Sequence, residues 1–322
     1  MPEPIAIVAT VLNEAADIDV LLQSLLHQDP SPAEVIVVDG GSTDGTWERL
    51  VDAATGHAVL HPIRDESCSL RRSPGPIARG RNTAIRAAAS PIVACVDAGC
   101  TYPTDWLARL TGPILDGSAE YALGGSVIDP ASATLWDIAS APFYGVKLNL
   151  AQPTKSCTAR SMAFRKDLWQ RAGGFPETVF LGEDTVFDAR VRTLVSPAYP
   201  AGAKACYHPR HTLSSSLRQL ASYAATDGLL GVRPARFLRH LFRCLAEVVA
   251  LGLLFFGFSA LPLLFVLLLE IYFALRLDWR DLPLYALPAR LLFSLLVPWV
   301  VTGNHLRSAL THRSLPNRQN VS

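Results

Sequence analysis

Short apolar runs alternate with stretches of helical periodicity over the first part of the chain. Residues 5–11, 34–38 and 92–96 are rich in β-branched or small apolar side chains, which is typical of buried parallel strands. Residues 13–28 and 78–89 instead repeat apolar side chains at helical spacing. The alternation predicts an α/β fold with a mostly parallel sheet and helices on both faces, with ligands bound at the carboxyl ends of the strands.

Turn and capping signals place further elements around these segments. Ser42 or Thr43 is expected to cap a helix that runs to about Ala54. The later part is less regular, and its expected elements are strands at 122–127 and 161–165 and helices at 184–192 and 214–228.

The C-terminal part of the chain contains long apolar stretches. Between 241 and 275, charge occurs only at Arg243, Glu247 and Glu270. A membrane-spanning helix needs roughly 20 apolar residues, so this block predicts one very long helix or two shorter ones that break near Gly257 and Pro262. Arginines flank the block on both sides, and two spans would leave both flanks in the cytosol, as the positive-inside rule prefers.

Residues 282–302 are a third candidate span, interrupted by Pro288, Arg290 and Pro298, which also suits a helix lying in the interface. The alternative to a membrane segment is a buried pair of core helices. That alternative is less favoured because most of 248–269 lacks a polar stripe. The predicted organisation is one catalytic domain over 1–232, two or three membrane-associated helices over 233–310, and a polar tail over 311–322.

Composition narrows the class of protein. The chain has 322 residues, 50% of them hydrophobic and 18% charged, and its formal net charge of +1 excludes a strongly basic nucleic-acid binder. Its six cysteines include no CxxC pair, which favours reduced thiols over a disulfide framework. No signal-like segment is recognised at the N-terminus, so the folded domain is expected on the cytosolic side of the inner membrane.

Three polar clusters follow predicted strands. Thr10 to Glu14 lie where the first strand ends, and Glu14 is either an acceptor for a base or ribose or an ordinary first-turn helix acid. Asp39 follows a buried strand and suits a base edge or a ribose hydroxyl, whereas Asp44 suits a helix-capping turn. Asp97 closes a third strand, where a carboxylate either holds Mg²⁺ or Mn²⁺ against a diphosphate or simply begins a loop.

Two further segments carry candidate chemistry. Arg79 and Arg81 begin a predicted helix, and they suit either bidentate contacts with phosphates or a solvated helix start. Glu183 and Asp184 follow a glycine turn, where such acids serve either as a general base for an acceptor hydroxyl or as first-turn helix acids.

Taken together, these segments resemble the family 2 glycosyltransferases, which are inverting enzymes of the Rossmann-like GT-A fold. The matching strings are TVLNE (10–14), VVDGGSTDGT (37–46), ARGRN (78–82), VDAG (96–99), RSMAFRK (160–166), GGFPE (173–177) and GED (182–184). Each string is weak alone, and the specificity lies in their order and spacing over about 5–210.

The resemblance implies a role for each matched position. Asp184 corresponds to the catalytic base, and Glu183 to a contact with the acceptor or the donor sugar. Asp97 corresponds to the first acid of the DxD motif, whose last acid is replaced here by Gly99. His208 is a candidate for the missing metal ligand, and a structural role for it is equally open. The residues implied to bind the nucleotide sugar are Thr10, Asn13, Glu14, Asp39, Ser42, Arg79, Arg81, Asn82 and Asp97.

The implied reaction moves a sugar from a UDP- or GDP-sugar to an acceptor hydroxyl in one inverting displacement, assisted by Mg²⁺ or Mn²⁺. The expected acceptor is a lipid-linked sugar or a cell-envelope glycan at the membrane, and no nucleic acid is expected as a partner. Residues 218–223 lack the Q-x-x-R-W motif of processive members, which favours addition of a single sugar.

Two alternatives belong to other functional classes. One is a catalytically silent membrane scaffold that keeps the GT-A fold, and the shortened DxD motif favours it. The other is a nucleotidyltransferase, which would need a glycine-rich, lysine-bearing phosphate loop, and residues 5–20 contain neither glycine nor lysine.

Overall fold

A computed structural model describes residues 3–69, 71–128, 132–144, 146, 148, 158–209, 212–231, 233–257, 260–276 and 282–312. The chain divides into a sheet unit, 1–132 with 145–209, and a helical unit, 133–144 with 210–322. The boundary expected after 232 differs from this division, because the helix over Leu213–Leu230 belongs to the helical unit. Where the catalytic part ends stays a prediction.

The strands of the sheet unit form two sheets. They are β1 (Ile5–Val11), β2 (Glu34–Asp39), β3 (Leu60–Arg64), β4 (Ile92–Cys95), β5 (Cys100–Thr101), β6 (Tyr121–Leu123), β7 (Gly125–Val127), β8 (Met162–Arg165) and β9 (Lys204–Tyr207). Among the described residues, the larger sheet has six strands in the order β3-β2-β1-β4-β8-β6, and the smaller has the order β5-β9-β7. Strands β1 to β4 are parallel, while β8 is antiparallel to β4 and β6.

Helices follow most of the strands. They are α1 (Ile18–Leu26), α2 (Thr46–Gly56), α3 (Pro76–Ala87), α4 (Trp106–Leu115), α5 (Leu135–Ser140), α6 (Lys166–Arg171), α7 (Glu183–Val191), α8 (Leu213–Leu230), α9 (Pro234–Phe255), α10 (Leu261–Arg276) and α11 (Leu287–His312). Short 3₁₀ turns occur at Glu66–Cys68, Ala141–Tyr144, Ala159–Ser161 and Leu284–Ala286.

Strand β1 is buried on both faces, which explains its continuous apolar run. Its residues Ile7 and Ala9 belong to a core that also includes apolar side chains of α1 and α4. The alternate residues Ala6 and Val8 belong to a second core with side chains of α3 and α7. Successive side chains of a strand point to opposite faces, so helices cover both sides of the sheet and the predicted fold class is confirmed.

Two predicted helix starts are wrong. Helix α1 begins at Ile18 rather than Asn13, because Asn13 has a left-handed φ of 57° that interrupts helical geometry. Helix α2 begins at Thr46 after Gly45, whose φ is 98°, and neither Ser42 nor Thr43 caps it. Their polar groups instead take part in contacts between loops, which are described below.

The single strand expected over 122–127 is two strands in different sheets. Gly124 separates β6 from β7, and its N–H donates to the Ser161 carbonyl at 2.8 Å. A side chain at this position would crowd its neighbours, since an added Cβ would lie 2.1 Å from the Ala203 carbonyl oxygen. The chain therefore changes sheets at a residue without a side chain.

We expect Gly124→Ala to lower the free energy of unfolding of the sheet unit by about 1–3 kcal/mol, because the methyl group must displace backbone atoms. The matched control is Gly56→Ala at the end of α2, where an added Cβ meets nothing within 4 Å. Alanine is the better helix former, so the control should gain up to about 1 kcal/mol. Thermal unfolding measures both, and equal effects of the two changes would contradict the prediction.

In the helical unit, α8 packs along α11. Leu220 and Ala224 of α8 form a buried cluster with Phe293, Val297 and Val301 of α11. The rings of Phe143 and Phe293 are 5.2 Å apart, which attaches the 3₁₀ turn after α5 to the same cluster. This packing explains why 133–144 is grouped with the C-terminal helices.

The C-terminal apolar block forms two helices, which is one of the two arrangements expected, with α9 ending before Gly257 and α10 beginning at Leu261. By length and composition, the described residues include one helix able to cross a membrane, over Leu284–Thr311, while Leu261–Phe273 is apolar but shorter. The prediction had favoured 241–275 and treated 282–302 as the less certain span. The helix that passes this test is therefore in the segment treated as less certain, and which of these helices cross a membrane stays a prediction.

Candidate active site

The loops after β1 and β2 are tied together by hydrogen bonds. The Asn13 N–H donates to Ser42 Oγ at 2.8 Å, and the Thr43 N–H donates to Asn13 Oδ1 at 2.9 Å. The Glu14 N–H donates to Thr46 Oγ1 at 2.8 Å. Asn13 and Ser42, which were predicted to bind the nucleotide, therefore hold these two loops together.

Asp39 lies at the carboxyl end of β2 and is fully buried. Its Oδ1 accepts the N–H groups of Gly41 and Ser42 at 2.6 and 2.7 Å. Its Oδ2 is buried without a hydrogen-bond partner among the described residues. A buried acceptor left unpaired is costly, so this oxygen indicates a ligand that donates a hydrogen bond, such as a ribose hydroxyl or a base N–H.

Glu14 and Thr10 lie at the neighbouring end of β1. Glu14 is half-buried, and burial raises the pKa of its carboxyl, with further contributions from the charges of Asp17 and Asp44. Thr10 packs against α3 so closely that a Cβ on Gly80 would lie 2.2 Å from Thr10 Oγ1. Both predicted residues are thus at the sheet edge that carries Asp39, because Val11 pairs with Asp39 in the parallel register.

Arg79 and Asn82 do not join the carboxylates of the site. Arg79 Nε donates to Ser67 Oγ at 2.8 Å, in the turn after β3. The Asn82 amide makes four hydrogen bonds: its Nδ2 donates to the Phe175 carbonyl and to Glu177, and its Oδ1 accepts the Phe175 N–H and the Trp169 indole N–H. With its amide fully used, Asn82 holds the segment before α7 in place, which supports a structural role over the predicted contact with the nucleotide sugar.

Arg81 joins two of the predicted acids. Its guanidinium group is buried and forms close ion pairs with Asp97, just after β4, and with Glu183, at the start of α7. The sequence places these acids 86 residues apart, and Arg81 connects them through one side chain. The structure therefore assembles one cluster from α3, the end of β4 and the N-terminus of α7.

Asp184 completes this cluster. It follows Gly182, whose φ is 79°, and its Oδ1 accepts the Thr185 N–H at 2.7 Å. Burial raises the pKa of Asp184, Arg81 partly offsets that rise, and the charge of Asp97 adds to it. A carboxylate whose pKa is raised toward neutral is suited to accept a proton from a hydroxyl group.

Arg160 was missed by the sequence analysis. It lies in the turn before β8, where its Nε is 3.8 Å from Asp97 Oδ2 and its guanidinium carbon is 4.3 Å from the centroid of the Tyr207 ring. The available signal was its position at the start of the RSMAFRK string. That string does not show that β8 inserts beside β4 and brings Arg160 to Asp97.

His208 lies next to the DxD-like segment. Its backbone N–H donates to the Gly99 carbonyl at 2.8 Å, and its ring Nε2 is 3.0 Å from Thr101 Oγ1. Among the described residues, no group of three or more His, Cys, Asp or Glu side chains is arranged to hold a metal ion. Whether Asp97 and His208 hold a metal ion stays a prediction.

Comparison with known proteins identifies the family. Residues 6–171 match the model of glycosyl transferase family 2, which covers more than half of the chain. The chain belongs to glycosyl transferase family 2. Succinoglycan biosynthesis protein ExoA of Rhizobium meliloti is 34% identical over 119 residues, 35% of this chain and 33% of that protein. Glycosyltransferase AglE of Haloferax volcanii is 29% identical over 196 residues, 58% of this chain and 60% of that protein.

The matched regions span between about a third and three fifths of these relatives' own lengths. Among solved structures, a mannosyltransferase from Pyrobaculum calidifontis in complex with GDP-Man and Mn²⁺ has a TM-score of 0.54 at 20% identity, covering 98% of this chain and 77% of that chain. TarS 1-349 of S. aureus in complex with UDP has a TM-score of 0.50 at 18% identity, covering 99% and 94%. These likenesses show the GT-A fold.

The predicted carboxylates of this family 2 chain lie on one side of the larger sheet, at the carboxyl ends of its parallel strands. Asp39 ends β2 and Asp97 follows β4, with β1 between them. Neighbouring strands lie about 4.8 Å apart, so these two positions are separated by roughly 10 Å. Asp184 enters the same region through the Arg81 cluster.

Proposed function

We propose that the chain transfers a sugar from a nucleoside diphosphate sugar to an acceptor hydroxyl, with inversion at the anomeric carbon. One observation carries the proposal. The cluster of Asp97, Arg81, Glu183 and Asp184 lies at the same sheet edge as the unpaired Oδ2 of Asp39. This edge offers a hydrogen-bond acceptor for a nucleoside beside charged groups for a diphosphate and a base.

The nucleoside is proposed to bind against Asp39, Glu14 and Thr10. Solved neighbours of the same fold hold GDP-Man and UDP, which supports a diphosphate donor and leaves the base open. Asp39 accepts hydrogen bonds only, so it suits the ribose hydroxyls that both donors share and the N–H groups that uracil and guanine both carry.

Asp184 is proposed to act as the general base. It takes the proton from the acceptor hydroxyl while that oxygen forms its bond to the anomeric carbon and the bond to the diphosphate breaks. Because attack and departure occur on opposite sides of the carbon, a single displacement inverts its configuration. Glu183, held by its ion pair with Arg81, is proposed to orient a sugar hydroxyl beside the reacting atoms.

A divalent metal ion, Mg²⁺ or Mn²⁺, fits this site when the diphosphate supplies part of its coordination. Asp97 would provide a carboxylate oxygen and His208 an imidazole nitrogen, and Mn²⁺ accepts both kinds of ligand. Among the described residues, the three carboxyl groups of Asp97, Glu183 and Asp184 outnumber the guanidinium groups of Arg81 and Arg160, which disfavours an anionic diphosphate without a cation. When bound, the metal would neutralise charge on the leaving diphosphate. The Mn²⁺ in the mannosyltransferase neighbour supports this assignment.

A membrane is the proposed partner of the helical unit. Helix α9 has reversed amphipathicity, since Arg243 is 2% exposed while the apolar Phe242 and Val249 are 61% and 58% exposed. Arg243 donates to Glu270 of α10 and to Ser294 of α11, so the polar groups are used inside the unit. A lipid environment stabilises apolar side chains on the outside, and water does not.

The acceptor is proposed to be a lipid-linked sugar or a cell-envelope glycan at the cytosolic face of the inner membrane. A helical unit held in the bilayer keeps the sheet unit near such acceptors. The description of one relative as a succinoglycan biosynthesis protein supports a polysaccharide pathway. A silent scaffold with the same fold remains the rival proposal, favoured by Gly99 in place of the second DxD acid.

We expect the purified protein to act on at least one member of a panel of UDP- and GDP-sugars, either by hydrolysing it or by transferring its sugar to an acceptor. The activity should fall to background with EDTA and return with Mn²⁺ or Mg²⁺, because the leaving diphosphate needs a cation. Release of the free nucleotide is the measurement. Binding of UDP or GDP without any turnover across the panel would support the scaffold and contradict catalysis.

We also expect the full-length chain to float with vesicles of phosphatidylethanolamine and phosphatidylglycerol. Changing Phe242 and Leu245 of α9 to glutamate should reduce the bound fraction at least about tenfold, because charges on the lipid-facing surface are costly. The matched control changes Val20 and Val51, exposed apolar residues of α1 and α2, to glutamate. An equal loss in both double variants would contradict the membrane assignment.

A further inference from the structure

Arg160 is a charged side chain at the site that the proposed mechanism does not use. It is 8% exposed and lies between two parts of the sheet unit. Its Nε is 3.8 Å from Asp97 Oδ2, and its guanidinium group stacks on the ring of Tyr207, the residue before His208. Arg160 is thus placed beside Asp97 and against the residue that precedes His208.

The backbone of Arg160 is also fixed relative to Asp97. The hydroxyl of Tyr102 donates to the Arg160 carbonyl at 3.0 Å and accepts the Asp97 N–H at 3.1 Å. Tyr102 is buried against Trp106, with ring centroids 4.5 Å apart. Because both the backbone and the side chain of Arg160 are held in place, its guanidinium group presents a positive charge at a fixed position. Binding an anion there does not incur the cost of ordering a flexible side chain.

The charges around Asp97 show what this cation contributes. Arg81 is committed to close ion pairs with both Asp97 and Glu183. The ion pair of Arg160 with Asp97 is longer than a hydrogen bond, at 3.8 Å. Among the described residues, removing Arg160 would leave the three carboxyl groups of Asp97, Glu183 and Asp184 with one guanidinium group, which would disfavour binding of a further anion.

The DxD-like segment also makes the charge around Asp97 less negative. Gly99 stands where the family pattern has a second acid, which removes one negative charge from this edge. Arg160 adds a positive charge 3.8 Å from the acid that remains. Both features make the edge more favourable to an anion.

We infer that Arg160 is a further donor-binding residue, whose fixed positive charge faces the diphosphate of the nucleotide sugar beside Asp97. The inference rests on the proposed function, since it requires that the site bind a nucleoside diphosphate. It assigns to Arg160 the phosphate-facing role that the sequence analysis considered for Arg79 and Arg81. The Arg79 side chain contacts Ser67 instead, and Arg81 is held in ion pairs with Asp97 and Glu183.

The test compares a nucleoside diphosphate with its nucleoside in the full-length chain. Arg160→Met and Arg160→Gln both remove the charge, and the polar glutamine is the milder change at a buried position. Titrations use UDP and uridine, and GDP and guanosine, each with EDTA and with Mn²⁺. For the base that the unaltered chain binds, affinity for the diphosphate should fall roughly tenfold to a hundredfold, while nucleoside affinity stays within about twofold.

Arg165→Met is the matched control, because Arg165 lies on β8 and pairs with Glu3 at 2.8 Å. It should leave the preference for the diphosphate unchanged. An unchanged preference in either folded Arg160 variant overturns the inference, as does an equal loss of nucleoside and diphosphate, which would indicate a purely structural role. If the unaltered chain binds neither UDP nor GDP, the proposed function itself fails.

Discussion

Replacing Asp184 by asparagine should lower the turnover number for sugar transfer by roughly 10²–10⁴-fold, which is the usual contribution of a general base. Asparagine keeps the size of the side chain and an oxygen able to accept the Thr185 N–H, but it cannot take a proton from the acceptor hydroxyl. Affinity for the nucleoside diphosphate should change little. Single-turnover transfer assays and nucleotide titrations separate the two quantities.

The matched control for this change is Asp167→Asn. Asp167 also lies in the first turn of a helix, α6, but it is exposed and its ion pair is with Arg171. If the first-turn acids act only through favourable interactions with helix ends, the two substitutions should have similar small effects. Retained turnover in the Asp184 variant would remove this residue from the proposed base role.

The pH profile of the unaltered chain gives a second check on Asp184. Burial raises the pKa of this carboxyl above its ordinary value near 3.8. A base must be ionised to work, so turnover should fall as the pH decreases through the raised pKa, at higher pH than for an exposed aspartate. In Asp184→Asn, the residual rate should lose this acid limb.

The larger features of the fold could be predicted because burial leaves a simple pattern. Strands β1, β2 and β4 are covered on both faces, so their apolar runs are continuous and easily recognised. Strand β3 was missed because it carries His61, Pro62 and Arg64, which are partly or fully exposed. Its assignment depends on pairing with β2, which its composition does not reveal.

Arg79 and Arg81 belong to one sequence motif but make different contacts, so a motif does not show which of its residues enters the site. Successive helical residues are rotated by about 100°, so positions two apart point to nearly opposite sides. On α3, Arg81 is directed to Asp97 and Glu183, while Arg79 contacts Ser67. The ARGRN string predicted that arginines occur near the site, and the helix decides which one enters it.

Helix α9 shows that average hydropathy alone does not reveal which side of a helix is exposed. An average over a window treats all sides of a helix alike, so the charged residues of α9 count against a membrane position. In the structure, Arg243 and Glu247 are buried, and the exposed residues of α9 from Phe242 to Phe255 are all apolar. Apolar exposed residues and buried charged ones support the membrane proposal. This arrangement is visible only in the three-dimensional structure.

Arg81→Met should lower the free energy of unfolding by about 3–5 kcal/mol near neutral pH, because it leaves the buried carboxylate of Glu183 and the partly buried carboxylate of Asp97 without their common partner. The matched control is Arg86→Met on the same helix, whose exposed ion pair with Glu177 is worth up to about 1 kcal/mol. Thermal unfolding of both variants gives the difference.

The loss in Arg81→Met should also depend on pH in one direction. Burial already raises the pKa of Glu183 despite the guanidinium group, and removal of that group raises it further. At low pH the orphaned carboxyl is protonated and its burial is cheap, so the variant should approach the unaltered chain as the pH decreases. At higher pH the carboxylate is either buried as an anion or protonated at a cost, so the difference should widen. A loss that stays constant between acid and alkaline pH, or equals that of Arg86→Met, would show that Arg81 does not hold the two acids of the site together.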